Sequence, residues 1–139
     1  MTIQTLQYGD LLGLPFRYHA SGPDAYDCKG LVAELYRRLD VPFPCYDSSE
    51  DPALQHAGFM DGLARYTTPI ALPEPYCLAM FSINQPYVHH CGLVLPGLYK
   101  FLHVRQHVRV CTERLDSPEW AHRLRGFYRL IPLDPGGSK

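Results

Sequence analysis

Two segments of the chain carry residue types fit for nucleophilic chemistry. One is Tyr26-Asp27-Cys28-Lys29-Gly30-Leu31-Val32, the other His89-His90-Cys91-Gly92-Leu93-Val94. A thiol becomes a nucleophile when a base takes its proton, so a cysteine answered downstream by a histidine is the minimum set for acyl transfer. Cys28, Leu31, Val32, Leu35, Tyr36 and Leu39 fall on one face of a helix, and Lys29, Glu34, Arg37 and Arg38 take the rest. Asp27 is then the N-cap, and Cys28 opens the helix. At that position the sulfur meets the positive end of the helix dipole, which favours thiolate over thiol. The free amide of Cys28 is a donor for an oxyanion formed during attack on a carbonyl. Standing alone, Cys28 reads more readily as a small hydrophobe at the start of an apolar stripe; the histidines that follow favour the nucleophile.

Those histidines sit where the pattern changes from helical to alternating. Residues 76–83, 87–95, 98–104, 107–111 and 127–131 are short runs rich in aromatic and β-branched residues, separated by turn signals such as Asn84-Gln85-Pro86 and Pro96-Gly97. Their short connections predict an antiparallel meander. The fold class is therefore α+β, with N-terminal helices packed on an antiparallel sheet of about five strands. On the second run His90 shares a face with Gly92 and Val94, and His89 shares the other with Cys91 and Leu93. Only one of the two can face Cys28, and His90 is taken as that base. His103 lies one hairpin away and can stand beside His90 across the ladder, orienting its ring.

The order Leu14-Pro15-Phe16-Arg17-Tyr18, Asp27-Cys28-x-Gly30-Leu31-Val32, His90-x-Gly92-Leu93 and Phe101-Leu102-His103 resembles the NlpC/P60 cysteine peptidases, papain-like cell-wall enzymes. The resemblance runs from about Leu6 to Arg129, and the ending, from Glu113-Arg114-Leu115-Asp116 to Gly126-Phe127-Tyr128-Arg129, looks like versions encoded in phage tail modules. It implies a papain-like fold, Cys28 as nucleophile, His90 as base and His103 as third polar residue. It also implies peptidoglycan stem peptides as substrate, cut next to a D-γ-glutamyl residue linked to a diamino acid. Phage tail proteins are the partners it suggests. Lys29 stands where the family usually has serine, and Phe16 where many members have tyrosine. Tyr18 is then the nearest hydroxyl to join Asp27 and Cys28 in substrate binding or the oxyanion site.

With 139 residues, 46% of them hydrophobic and 19% charged, the chain can bury one core. A single catalytic domain over residues 1–133 and a flexible tail over 134–139 are expected. A net charge of -1 supplies no basic field for nucleic acid. No apolar run is long enough for a membrane span, and no export signal opens the chain, so synthesis in the cytoplasm is expected, with a virion tail as one route to the wall. Residues 41–75 hold prolines at 42, 44, 52, 69, 73 and 75. They predict an irregular insert with at most a short helix from Pro52, framing one wall of a cleft or merely connecting.

The five cysteines, at 28, 45, 77, 91 and 111, are odd in number and show no disulfide framework, so reduced thiols are expected. No cofactor and no metal are expected. A competing reading gathers Cys77, His89, His90, Cys91, His103, His107 and Cys111 into a zinc site, but their spacings fit no common zinc pattern. A third reading keeps the fold and drops the catalysis, leaving a tail-assembly or wall-binding protein.

Overall fold

The structure, a computed structural model, describes residues 5–44 and 50–132. Cys45 and the expected flexible tail at 134–139 lie outside the described residues. The first helix begins as its cap requires: the Asp27 carboxylate accepts from the Gly30 amide at 2.6 Å, and α1 spans Cys28–Arg38. Leu31, Val32, Leu35 and Tyr36 are buried along it, the stripe legible in the sequence. Each such fully buried leucine contributes about 1.5–3 kcal/mol to folding.

The insert is more regular than its prolines suggest. α2 spans Pro52–Tyr66, 15 residues and not a short helix. Its prolines crowd the two ends, leaving the stretch after Pro52 free of them until Pro69. Pro52 itself stands in the first turn, where a missing N–H breaks no helical bond, and Asp51 caps the Leu54 amide at 3.2 Å. A strand follows directly, β1 at Thr67–Ile70, and it accommodates Pro69 because it is an edge of the sheet. Phe59 of α2 covers Lys29, whose ammonium lies 5.9 Å from the ring centre. Lys29 is therefore buried, contrary to its expected outward position.

The remaining strands are β2 Leu78–Phe81, β3 His90–Val94, β4 Lys100–Arg105, β5 Val108–Arg114 and β6 Leu124–Leu130, with a short helix, α3 Pro118–Ala121, before the last. All pair antiparallel in the order β1-β6-β2-β3-β4-β5, six strands against the expected five or so. Alternation divides the sheet into two unlike faces. Against α1 lie Leu78, Met80, Cys91, Leu93, Leu102 and Val104. Against α3 lie Phe81, Val94 and Phe101 around Trp120.

Candidate active site

The face assignments correct one expectation. α1 packs on the side of Cys91 and Leu93, while His90 points to the Trp120 side. The sequence pattern hides this because every residue of β3 is buried and neither face is marked by exposure. Cys28 and His90 nevertheless line one cleft, since His90 is the first residue of β3 and stands at the end of the sheet. The cleft measures about 310 Å³. Phe16, Tyr18 and Cys28 form one side of its lining, Glu50, Pro52 and Gln55 of the insert another, and Asn84, His89, His90 and the turn from Arg105 to His107 the third.

Cys28 is half-buried at the helix start. Its pKa is lowered, chiefly by the Cys91 thiol that hydrogen bonds to it, against burial and the Asp27 charge, which push it up. The helix dipole makes Cys28 the more acidic thiol of this pair, and the Cys91 thiol, which donates to it, is pushed well up. Asp27 uses both oxygens on backbone amides, Gly30 at 2.6 Å and His19 at 3.0 Å. A carboxylate donates nothing to an oxyanion, so its part at this site is to fix the helix start that aims the Cys28 amide. Gly30 is needed for close approach: a Cβ there would lie 2.2 Å from the Ala20 carbonyl oxygen. The Tyr18 hydroxyl donates to Gln106 Oε1 at 3.4 Å, tying the first side of the cleft to the β4–β5 turn.

The two adjacent histidines have different fates. His89 precedes β3, and its Nε2 accepts from the Asn84 amide at 3.0 Å. His90 Nε2 lies 2.8 Å from His103 Nδ1, and His103 Nε2 lies 2.8 Å from Glu113 Oε2. Strand register builds this line. Leu93 pairs with Leu102, which carries Gly92 opposite His103, and His103 pairs with Cys111. His90, His103 and Glu113 thus step diagonally across three strands on one face. Gly92 leaves the room: a Cβ there would lie 2.8 Å from the Phe101 ring and 3.4 Å from the His103 Cβ.

Glu113 is the member that the sequence reading missed. No local signal marks it: counting outward from the Arg105–Val108 pair would set Val110 opposite His103, and it is a register shift between His103 and Arg105 that brings Cys111 opposite His103 and Glu113 onto the same face.

The carboxylate gives the line a direction. Glu113 accepts from His103 Nε2–H, so His103 Nδ1 carries a lone pair and accepts from His90 Nε2–H. The lone pair of His90 is then on Nδ1, the nitrogen not engaged by His103. Around the pair, Trp120 stands 4.8 Å from His103 and 5.8 Å from His90, ring centre to ring centre. Burial in these aromatics lowers both imidazole pKa values, that of His90 well below the ordinary range with added repulsion from His103 and Arg105. For His103, Glu113 pulls the other way. Both rings are neutral at neutral pH, which is the form a general base requires.

Cys28, Cys77, Cys91 and Cys111 are free thiols. The dispersed zinc set does not assemble; among the described residues the one group placed to hold an ion is His103, Cys111 and Glu113. No helix among the described residues is long and apolar enough to cross a membrane.

A family model, described as the NlpC/P60 family, matches residues 13–129. Among solved structures, an NlpC/P60 family protein from Bacillus cereus superposes with a TM-score of 0.63 at 20% identity, covering 94% of this chain and 42% of that one. A Staphylococcus aureus protein described as similar to lipoprotein, NLP/P60 family, gives 0.59 at 22% identity, covering 87% and 38%. NlpC1 from Trichomonas vaginalis gives 0.57 at 21%, covering 85% and 40%. The chain spans about two-fifths of the length of these solved chains. At such identities the likeness is one of fold. No curated protein matches the chain.

Proposed function

The chain belongs to the NlpC/P60 family, and from that premise we propose that it is a cysteine peptidase that hydrolyses peptidoglycan stem peptides. Cys28 is the nucleophile, His90 the general base and His103 the residue that positions it. The observation that carries this reading is the line Glu113–His103–His90, which reserves the Nδ1 lone pair of His90 while Cys28 lines the same cleft.

In the reaction, Cys28 Sγ attacks the scissile carbonyl and His90 Nδ1 takes the thiol proton. The negative oxygen of the tetrahedral intermediate accepts from the Cys28 amide. His90 returns the proton to the departing amine, and water activated by the same nitrogen cleaves the thioester. Glu50, Asn84, Arg105 and Gln106, set beside Phe16, Pro52 and Ile83, give the cleft charges of both signs and hydrogen-bonding groups that a peptide can engage. The bond next to D-γ-glutamate rests on the family resemblance, and carriage by a phage tail on the resemblance of residues 113–129.

Digestion of purified peptidoglycan, with mass analysis of the soluble fragments, tests the proposal and identifies the bond. The expected result is stem-peptide fragments from the wild type and none from Cys28→Ser. Intact wall after incubation with folded wild-type protein would favour the wall-binding reading.

A further inference from the structure

The cluster His103, Cys111 and Glu113 has a geometry that the peptidase reaction does not use in full. Their ligating atoms all lie within 4.8 Å of one another, with Cys111 Sγ 4.0 Å and His103 Nε2 2.8 Å from Glu113 Oε2. Cys111 sits directly across the β4–β5 ladder from His103, and Glu113 is two residues on, so all three project from one face. The outer side is open: Cys111 is half-exposed and the Glu113 side chain 29% exposed, on a strand at the edge of the sheet. Imidazole, thiolate and carboxylate are together a zinc-type donor set, and three protein ligands with the fourth position left to water is a common zinc arrangement. The nearest cation, Arg105, is directed elsewhere, towards Glu119 at 3.7 Å and the face of Trp120.

We propose that His103, Cys111 and Glu113 form an inhibitory zinc site that silences His90 by reversing the tautomer of the histidine pair. The inhibitory part rests on the peptidase reading; the site itself does not. A zinc ion takes the lone pair of His103 Nε2, and the ring proton of His103 moves to Nδ1. That proton then points at His90 Nε2, which must accept, and the proton of His90 moves to Nδ1. Each imidazole still carries one proton, and Cys111 gives up its own to the solvent. The thiolate and carboxylate together offset the charge of the ion. His90 now presents an N–H to the cleft, where the resting protein presents a lone pair, and it can no longer accept the proton of Cys28.

The test is zinc titration of the purified protein by competition with a chromophoric chelator, run beside cobalt substitution on wild type, Cys28→Ser and Cys111→Ser. Wild type and Cys28→Ser are expected to bind one zinc with equal affinity and to show a thiolate-to-cobalt charge-transfer band. Cys111→Ser should lose that band and more than about tenfold in affinity, while retaining its zinc-free rate of wall hydrolysis. Zinc should slow alkylation of Cys28, followed by peptide mass analysis, in wild type but not in Cys111→Ser. Unchanged affinity in Cys111→Ser, loss of binding in Cys28→Ser, or no binding at all would each overturn the site. Binding at Cys111 that leaves Cys28 alkylation unaltered would overturn the inhibition. These binding and alkylation readings need no peptidase activity, so the site is judged separately from the proposed reaction.

Discussion

The two faces of the sheet are built from different materials and supply different halves of the site. The face under α1 is aliphatic and encloses Leu31, Leu35, Leu93 and Leu102. The opposite face is aromatic: Phe81, Phe101 and His103 meet Trp120 edge-on, and His90 lies tilted against Phe81 and Trp120. The first face carries a helix whose start holds the thiol; the second holds two neutral imidazoles in fixed orientation. A helix face of leucines is tolerant of shape and provides stability. A cage of rings is demanding, and it favours the uncharged form of a buried imidazole while one carboxylate at the strand edge sets its tautomer. The site exists where the two faces meet, at the end of β3.

The largest effects are expected at the proposed reacting groups. Cys28→Ser is expected to abolish wall hydrolysis with the fold kept, because a hydroxyl lacks the acidity that the helix start exploits. His90→Ala should lose about 10³-fold or more, the scale seen on removing a triad member, while His89→Ala, whose ring lines the cleft but accepts from the Asn84 amide and stands outside the histidine line, should lose far less. Circular dichroism beside turnover on one muropeptide substrate checks both.

Positioning residues on the aromatic face come next. His103→Asn should retain more activity than His103→Ala, since an amide oxygen can still accept from His90 Nε2 and a methyl group cannot. Glu113→Gln should cost less than either His103 change, because the amide oxygen can keep the tautomer, and Glu113→Leu should cost more than Glu113→Gln. Steady-state rates of the four variants establish the order. Should Glu113→Leu match the wild type, the carboxylate sets nothing.

On the aliphatic face the effect moves from rate to stability. Leu35→Ala empties a site with no solvent exposure and should destabilise the fold by about 2–5 kcal/mol, with kcat retained below the unfolding transition. Urea denaturation measures the first and turnover the second.

The smallest effect is one of pH. His90 and His103 have lowered pKa values in the fold, so the unfolded chain binds their protons first as pH falls. Stability should therefore decline as pH drops below about 6.5, the ordinary imidazole value, and level off only once the folded protein protonates too. Urea midpoints between pH 7.5 and pH 5, in wild type and His103→Asn, report it; the variant should show the shallower decline.

Much of this was legible in the sequence, and the gaps have physical causes. The cap at Asp27, the stripe of α1 and the strands bearing His90 and His103 follow from period and turn chemistry, which are local. Which face of β3 meets α1 is not local: Cys91 and His90 are both buried, so alternation offers two equivalent solutions and only packing chooses. Glu113 escaped because the strand was read as ending at Cys111, whereas β5 continues to Arg114. The helix from Pro52 runs longer than expected, and the strand after it is not foreseen, because the prolines of the insert stand at its ends and leave 53–68 free of them.

Glu113, acting through His103, leaves the lone pair of His90 on Nδ1. Nitrogen-15 NMR of the ring nitrogens of His90, in zinc-free protein at neutral pH, tests it most directly. The expected result is a neutral ring with Nε2 protonated and Nδ1 bare. A proton on Nδ1 in the neutral ring, or an imidazolium at that pH, would contradict it.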